Sequence, residues 1–322
     1  MRQPAYQLRP NKTIDRLTLI EVIRRIKNRY DDIGEYIYCG FGGPTLEDFR
    51  ILHAYYPEVT MISVEENEEI YKRQLFHAPC RGNRLKLKHT DFSSFLATYA
   101  CGDKKSIFWL DYTGLEYSNF EEFMIVLGMV PSGSIIKITL RCHPDDFQDS
   151  AVAEQEKKQA EFCSKFESIL PAGCVGPPLL FEDFAKLLQD MVQISAQKML
   201  PSGFPLRFLP ICSFCYADGV GMFTLTGVVC LGNEVTALRA AFNSWHLRNL
   251  DWSNPRVIDV PMLSTKERLH LQRLLPQEKN AGRILRNALG YLIDMDIAKT
   301  ESRLQHYSDF QAYFPYFMKA NP

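Results

Sequence analysis

The sequence predicts an α/β protein built on a mostly parallel sheet, and three observations carry that expectation. Apolar strand-like runs alternate with helix-like segments from residue 36 to residue 140. A glycine cluster, Gly40-Phe41-Gly42-Gly43-Pro44, follows the first run. Acids, Glu65 and Asp111, close the second and fourth runs. Strand, glycine turn and helix together let backbone N–H groups and a helix N-terminus approach a nucleotide-like ligand. Glycine turns also serve purely as connections, so the cluster alone leaves both readings open.

Pro10 to Thr13 precede a long amphipathic pattern. Ile14, Leu17, Ile20, Ile23 and Ile26 recur at helical spacing, and Arg16, Arg24, Arg25, Lys27 and Arg29 fill the other face. That charged face reads as solvated, with contact to an acidic substrate as the alternative. Tyr36–Cys39 is the first expected strand. Three glycines in four positions permit the tight turn after it and leave no Cβ between backbone and ligand. Thr45 and Asp48 read as a capping box for a helix over Leu46–Ala54. The alternation continues with strand Val59–Val64, helix Glu68–Phe76, strand Leu85–His89, helix Phe92–Tyr99, strand Ser106–Leu110, helix Asn119–Leu127 and strand Ile135–Leu140. In such sheets ligands sit beyond the carboxyl ends of the strands, where Glu65, Asp91 and Asp111 fall.

The segment 143–200 is acidic and helical in pattern. Leu206–Tyr216 and Met222–Cys230 then flank Ala217-Asp218-Gly219-Val220-Gly221, a hairpin signal. Cys212 and Cys215 have CxxC spacing but lie in a strand with no second pair, which argues against zinc. His143, Asp145 and Asp146 read as a loop and helix start, with metal binding the lesser alternative. From Asn233 onward the chain is mainly helical and locally basic over 239–286. Val257–Val260 reads as a short strand, Ser264 opens a helix, and Tyr307–Phe317 is dense in aromatics. That last stretch reads as docking on the core, with a partner-binding patch as the alternative. The expected organisation is an N-terminal helical segment 1–34, a central domain 35–232 with a helical acidic insertion 143–205, and a helical extension 233–322.

Composition excludes some function classes. The net charge of −1 leaves no global footprint for nucleic acid or membrane surfaces. No run reaches the roughly 18 apolar residues that span a bilayer. The nine cysteines are odd in number and mostly set in apolar runs, as in a reduced, cytoplasmic protein. The N-terminus lacks a signal-peptide core, which points the same way.

Five alternating strands, the glycine turn, the acid after the second strand and the late hairpin resemble the class I S-adenosylmethionine-dependent methyltransferases over about residues 35–232. The resemblance implies a Rossmann-like, mostly parallel seven-stranded sheet with the hairpin as its last two strands. It implies a cofactor site of Gly40, Phe41, Gly42, Gly43, Glu65, Asp91 and Phe92. Glu65 would hold the ribose hydroxyls, Asp91 would face the adenine, and Asp111 with Tyr112 would stand beside the reacting methyl. Phe41-Gly42-Gly43-Pro44 with Leu110-Asp111-Tyr112-Thr113-Gly114 is similar, more narrowly, to the bacterial three-cysteine-motif partner proteins, methyltransferase-like chains often found among defence genes. The chain departs from the superfamily pattern at Tyr38, where an acid is usual, and at Pro44, which replaces the third glycine. The paired prolines of amino-methylating nucleic-acid enzymes are missing after Asp111.

Those residue types suit the implied chemistry. A carboxylate accepts two ribose hydroxyls together. A methyl already on a sulfonium needs in-line positioning more than strong acid catalysis, and Asp111 could orient or deprotonate an oxygen or nitrogen nucleophile. Each acid also has a plainer reading: Glu65 as a solvated strand end, Asp91 as a helix cap, Asp111 as a structural strand end. Three functions follow: methyl transfer to a small-molecule or protein acceptor, a non-catalytic binding or sensor module working with a protein partner through the C-terminal aromatic segment, and, supported only by the basic 239–286 region, a nucleic-acid methyltransferase.

Overall fold

The apolar runs become the strands of one sheet in a computed structural model that describes residues 9–30, 32–78, 84–99, 101–277 and 279–313. The strands are β1 (Ile37–Gly40), β2 (Thr60–Glu65), β3 (Leu85–His89), β4 (Ser106–Asp111), β5 (Ile135–Arg141), β6 (Leu206–Ala217), β7 (Gly221–Leu231) and β8 (Arg256–Ile258). The helices are α1 (Pro10–Tyr30), α2 (Glu47–Tyr55), α3 (Glu68–His77), α4 (Phe92–Thr98), α5 (Tyr117–Met129), α6 (Val152–Phe166), α7 (Phe181–Met199), α8 (Val235–Phe242), α9 (Thr265–Gln272), α10 (Ala281–Leu289) and α11 (Ile297–Asp309). Strand order is β3-β2-β1-β4-β5-β7-β6-β8. β1 to β5 pair in parallel, and β7 runs antiparallel to β5. The expected seven strands are all present; the short β8 makes an eighth.

The central strands read as continuous apolar runs because helices cover both faces. On one face Tyr38 meets Phe49 of α2 edge-on, ring centres 4.9 Å apart. On the other, Phe108 meets Tyr99, just after α4, at 6.1 Å. Phe108, Leu110, Ile136 and Ile138 are fully buried, each contributing about 1.5–3 kcal/mol of transfer free energy. Polar groups inside the sheet pair with one another: the Trp109 indole N–H donates to Thr139 Oγ1 at 3.0 Å, and Thr139 meets Thr224 at 3.2 Å.

The described chain divides into two compact units that interleave in sequence. The larger comprises Leu19–Cys215 and Val220–Arg256 and carries β1 to β5, β7 and helices α2 to α8. Its share of α1 shows the expected charged face, where Glu21 pairs with Arg24 and Arg25. The smaller unit joins the residues up to Thr18, Tyr216–Gly219 and those from Val257 on. Within it the Asp218 carboxylate accepts from the backbone N–H of Lys12 at 2.8 Å and from the Asn11 side chain at 3.0 Å, at the start of α1. There an anion suits the helix N-terminus. Arg16, expected on the solvated face, is buried. Gly282 of α10 lies so close to the Glu301 backbone of α11 that a Cβ would approach its carbonyl oxygen to 2.0 Å. Tyr307 and Phe310 are buried, so these two aromatics are core residues. Phe314, Tyr316 and Phe317 lie outside the described residues.

Candidate cofactor and active site

Parallel register fixes the site's frame. Gly40, the last residue of β1, aligns with Ser63 of β2 on one side and Trp109 of β4 on the other. Two residues further along those flanking strands come Glu65 and Asp111. Because side chains alternate along strands, both acids share Gly40's face of the sheet and stand at one level beyond it. The glycine turn leaves β1 between them.

The turn is left-handed at Gly42 (φ +70°) and Gly43 (φ +53°), which a side chain resists. At Gly42 the absent Cβ makes room for protein rather than ligand. A Cβ there would lie 2.5 Å from Leu46 Cδ2, 2.7 Å from Ser63 Oγ and 2.9 Å from Phe49 Cε2. The expected capping box is not formed. Leu46 itself occupies the N-cap position in a left-handed conformation (φ 54°), and α2 starts at Glu47 without a side-chain cap. The Thr45 hydroxyl is buried with no hydrogen-bond partner among the described residues.

Sequence reasoning missed the residue that holds this turn. Gln74 of α3 is fully buried. Its amide N–H groups donate to the carbonyls of Phe41 at 2.9 Å and Gly43 at 3.0 Å. Its carbonyl oxygen accepts from Ser63 Oγ at 3.0 Å. The signal was present: Gln74 follows Ile70 by four on a helix, an inward position where a polar side chain must find partners.

Phe41, Phe92 and Tyr112, far apart in sequence, come together. The Phe41 ring meets Phe92 edge-on at 5.1 Å and Tyr112 at 5.3 Å, forming an aromatic wall beside the turn. Glu122 of α5 braces that wall, accepting from the Tyr112 hydroxyl at 2.6 Å and from Ser93 Oγ at 2.6 Å. Burial first, and the neighbouring Glu122 carboxylate second, push the Tyr112 phenol well above its usual range. The buried phenol, donating to a carboxylate, braces the wall.

The three acids differ. Glu65 is half-buried, its Oε1 accepting from the Asn67 N–H at 2.8 Å; burial, the largest influence, lifts its pKa above the usual carboxylate value. Asp91 is exposed and caps α4, accepting from the Ser94 N–H at 2.8 Å, and hydrogen bonding with Ser94 lowers its pKa. Asp111 is half-buried at the end of β4, where the following N–H, that of Tyr112, donates to the Thr139 carbonyl at 3.0 Å. On the adjacent β5, Arg141 grips Asp146 through two bonds of 2.6 and 2.8 Å. His143 lies 3.9 Å from Asp145. Among the described residues no group of three or more His, Cys, Asp or Glu is placed to hold a metal ion.

A family model described as "Putative O-methyltransferase" matches residues 4–322. The chain belongs to that family. With this fold, membership places it in the class I S-adenosylmethionine-dependent methyltransferase superfamily. Similar solved structures include a "putative transferase" from Pyrococcus horikoshii at 12% identity and TM-score 0.36, covering 66% of this chain and 63% of that one. Another is Trm1 from Pyrococcus horikoshii with S-adenosyl-L-methionine, at 11% identity and TM-score 0.45, covering 69% and 56%. A "putative O-methyltransferase" from Klebsiella pneumoniae follows at 12% identity and TM-score 0.38, covering 70% and 83%. The chain thus spans less than two thirds of the length of the first two, and these identities carry no residue-level correspondence. No curated protein matches the chain. No described helix is long and apolar enough to cross a membrane.

The residues of the crevice fit the cofactor. Glu65 offers a carboxylate suited to a ribose diol, the partly exposed Phe41 offers an aromatic ring backed by the buried Phe92, and the buried Thr45 hydroxyl leaves a polar group to be satisfied beside the turn.

Proposed function

We propose that this chain transfers the methyl group of S-adenosylmethionine to an oxygen of a small-molecule or protein acceptor at the carboxyl edge of its sheet. The observation that supports this most is the level placement of Glu65 and Asp111 on either side of the turn after Gly40. When bound, the cofactor supplies a methyl carbon on a sulfonium, electrophilic enough to need little acid catalysis. Glu65 binds the ribose hydroxyls, the Phe41–Phe92–Tyr112 wall excludes water from one side, and Gln74 keeps the turn in its binding shape. Asp111 accepts the acceptor hydroxyl's proton as the oxygen–methyl bond forms. Asp91, committed to capping α4, positions that helix and its Phe92. A bacterial defence context stays an extension of this reading that rests only on the two short motifs at the turn and after β4.

A second reading is a methyltransferase-like binding module working through a protein partner. It is favoured by the departures from the superfamily pattern at Tyr38 and Pro44, and Gly42 does not argue against it, since its missing side-chain volume is filled by Leu46, Ser63 and Phe49. A nucleic-acid acceptor has less support. Within the basic 239–286 region two of the arginines are paired, Arg239 with Asp251 and Arg286 with Glu301. Release of S-adenosylhomocysteine decides between catalysis and binding. The purified chain is mixed with S-adenosylmethionine and either the low-molecular-weight or the protein fraction of a cell extract. Release driven by one fraction names the acceptor class; binding of cofactor with no release in either supports the module.

A further inference from the structure

Away from the crevice, the loop after α8 walls a cavity of about 350 Å³ lined by His246, Arg248, Asn249, Asp251, Asn254 and Arg256 among others. This loop is pinned from behind. Asn249 is buried and donates to Ser213 Oγ of β6 at 2.8 Å and to the Ser253 carbonyl at 2.6 Å. Its own N–H donates to the Ile211 carbonyl at 2.7 Å. Gln189 of α7, fully buried, donates to the carbonyls of Trp252 and Ser253 at 2.9 and 2.8 Å. Between these anchors Trp252 takes a left-handed φ of 55°, a conformation that a bulky residue keeps only where its surroundings impose it.

The charge on the cavity wall is one-sided. Its single carboxylate, Asp251, is held by Arg239, which is not among the lining residues. Arg248 makes one bond, to the Trp245 carbonyl at 3.2 Å, and neither Arg248 nor Arg256 has an ion-pair partner among the described residues. Both are exposed. Two guanidinium forks without carboxylates, facing one polar hollow on a rigid loop, form a receptor for an oxyanion, since each fork can donate two parallel bonds. A volume of about 350 Å³ is at the small end of ligand pockets, which favours a compact ligand over a polymer.

We propose that this hollow is a second binding site, separate from the methyl-transfer crevice, for a small phosphate-bearing molecule held by Arg248 and Arg256. β5 and β7 lie between β4, which carries Asp111, and β6, on which the loop is anchored. The loop is thus anchored away from the strand that carries Asp111, and the proposal does not depend on the methyltransferase reading.

Isothermal titration of the full chain with inorganic phosphate, at fixed ionic strength, tests it. Sodium acetate and a short oligoribonucleotide are titrated in parallel, against wild type, Arg248→Gln, Arg256→Gln and Arg256→Lys. Because both side chains are exposed, the variants should keep the wild-type melting temperature without phosphate. Expected are saturable phosphate binding, acetate at least tenfold weaker, a tenfold or greater loss in each Gln variant, and partial retention in Arg256→Lys, which keeps the charge but not the fork. Equal phosphate affinity in wild type and both Gln variants overturns the proposal, as does acetate binding as well as phosphate. Oligoribonucleotide bound far more tightly than phosphate and lost in the Gln variants overturns the small-ligand assignment. If a variant does not fold, difference density for phosphate between the two guanidiniums in a soaked wild-type crystal supports the site, and its absence at saturating phosphate counts against it.

Discussion

The side-chain amide of Gln74 donates to the carbonyl of Gly43 at 3.0 Å, tying the middle of α3 to the turn that follows β1. With its second bond to Phe41 and the Ser63 hydroxyl behind it, Gln74 ties the turn's shape to this helix.

Gln74→Ala therefore removes both donors; the Phe41 carbonyl keeps bonds from Ser63 Oγ and the Gly43 N–H, while the Gly43 carbonyl loses the amide that held it. Each unsatisfied buried group costs about 1–3 kcal/mol, so urea denaturation should show a loss of a few kcal/mol at most, together with weaker S-adenosylmethionine binding. Unchanged stability would mean that water replaces the amide and the turn is held by its own backbone.

Glu65→Gln should separate binding from stability. Loss of a charge-assisted, two-pronged contact predicts roughly ten- to hundredfold weaker cofactor affinity. The stability effect has the opposite sign. Burial raises the Glu65 pKa in the folded state, so the group favours folding when protonated, and that contribution is lost as pH rises through the folded pKa. At neutral pH the Gln variant should melt no lower than wild type. Cofactor affinity of the wild type should in turn weaken on acidification, starting at a higher pH than an ordinary glutamate would give. Calorimetry across a pH series checks this, and a flat affinity profile with unchanged binding by the variant would reduce Glu65 to a strand-end acid.

Tyr112→Phe tests the bracing role of the aromatic wall. Deleting the hydroxyl leaves Glu122 with Ser93 alone and should cost about 1.5–3 kcal/mol, the range for a hydrogen bond to a charged group. Turnover per folded molecule should stay within a few fold. A hundredfold fall in kcat with unaltered stability would restore Tyr112 to the catalytic pair.

Asp111→Asn keeps size and one acceptor oxygen but removes basicity. If Asp111 takes the acceptor's proton, methyl transfer should fall by about 10²–10⁴-fold with cofactor affinity nearly intact. A lower melting temperature with normal activity of the folded fraction would show a structural strand end instead.

The sheet was legible in the sequence because each strand is an apolar run bounded by turn residues, a pattern that burial on both faces imposes directly. Glu65 and Asp111 were legible as strand-end acids, but the register that sets them level beside the glycine turn was not, because pairing between strands distant in sequence leaves no local signal. The start of α2 was not legible. Thr45 and Asp48 satisfy the spacing of a capping box, but the left-handed step at Leu46, taken where the turn packs on β2, displaces the helix start by a residue. Gln74 and Glu122 escaped notice for a shared reason: each acts on residues distant in sequence, and a lone polar side chain on a helix does not announce its partner. Arg16 shows the converse, a charged helix residue that the helical pattern puts on the solvent side but that is buried.

The most direct test is calorimetric titration of the purified chain with S-adenosylmethionine and S-adenosylhomocysteine, repeated with Glu65→Gln and Arg256→Gln. One saturable site, weakened at least tenfold by Glu65→Gln and untouched by Arg256→Gln, is the expected result. No heat of binding at millimolar cofactor, with the chain shown to be folded, would contradict the assignment of the crevice between Glu65 and Asp111 as a cofactor site.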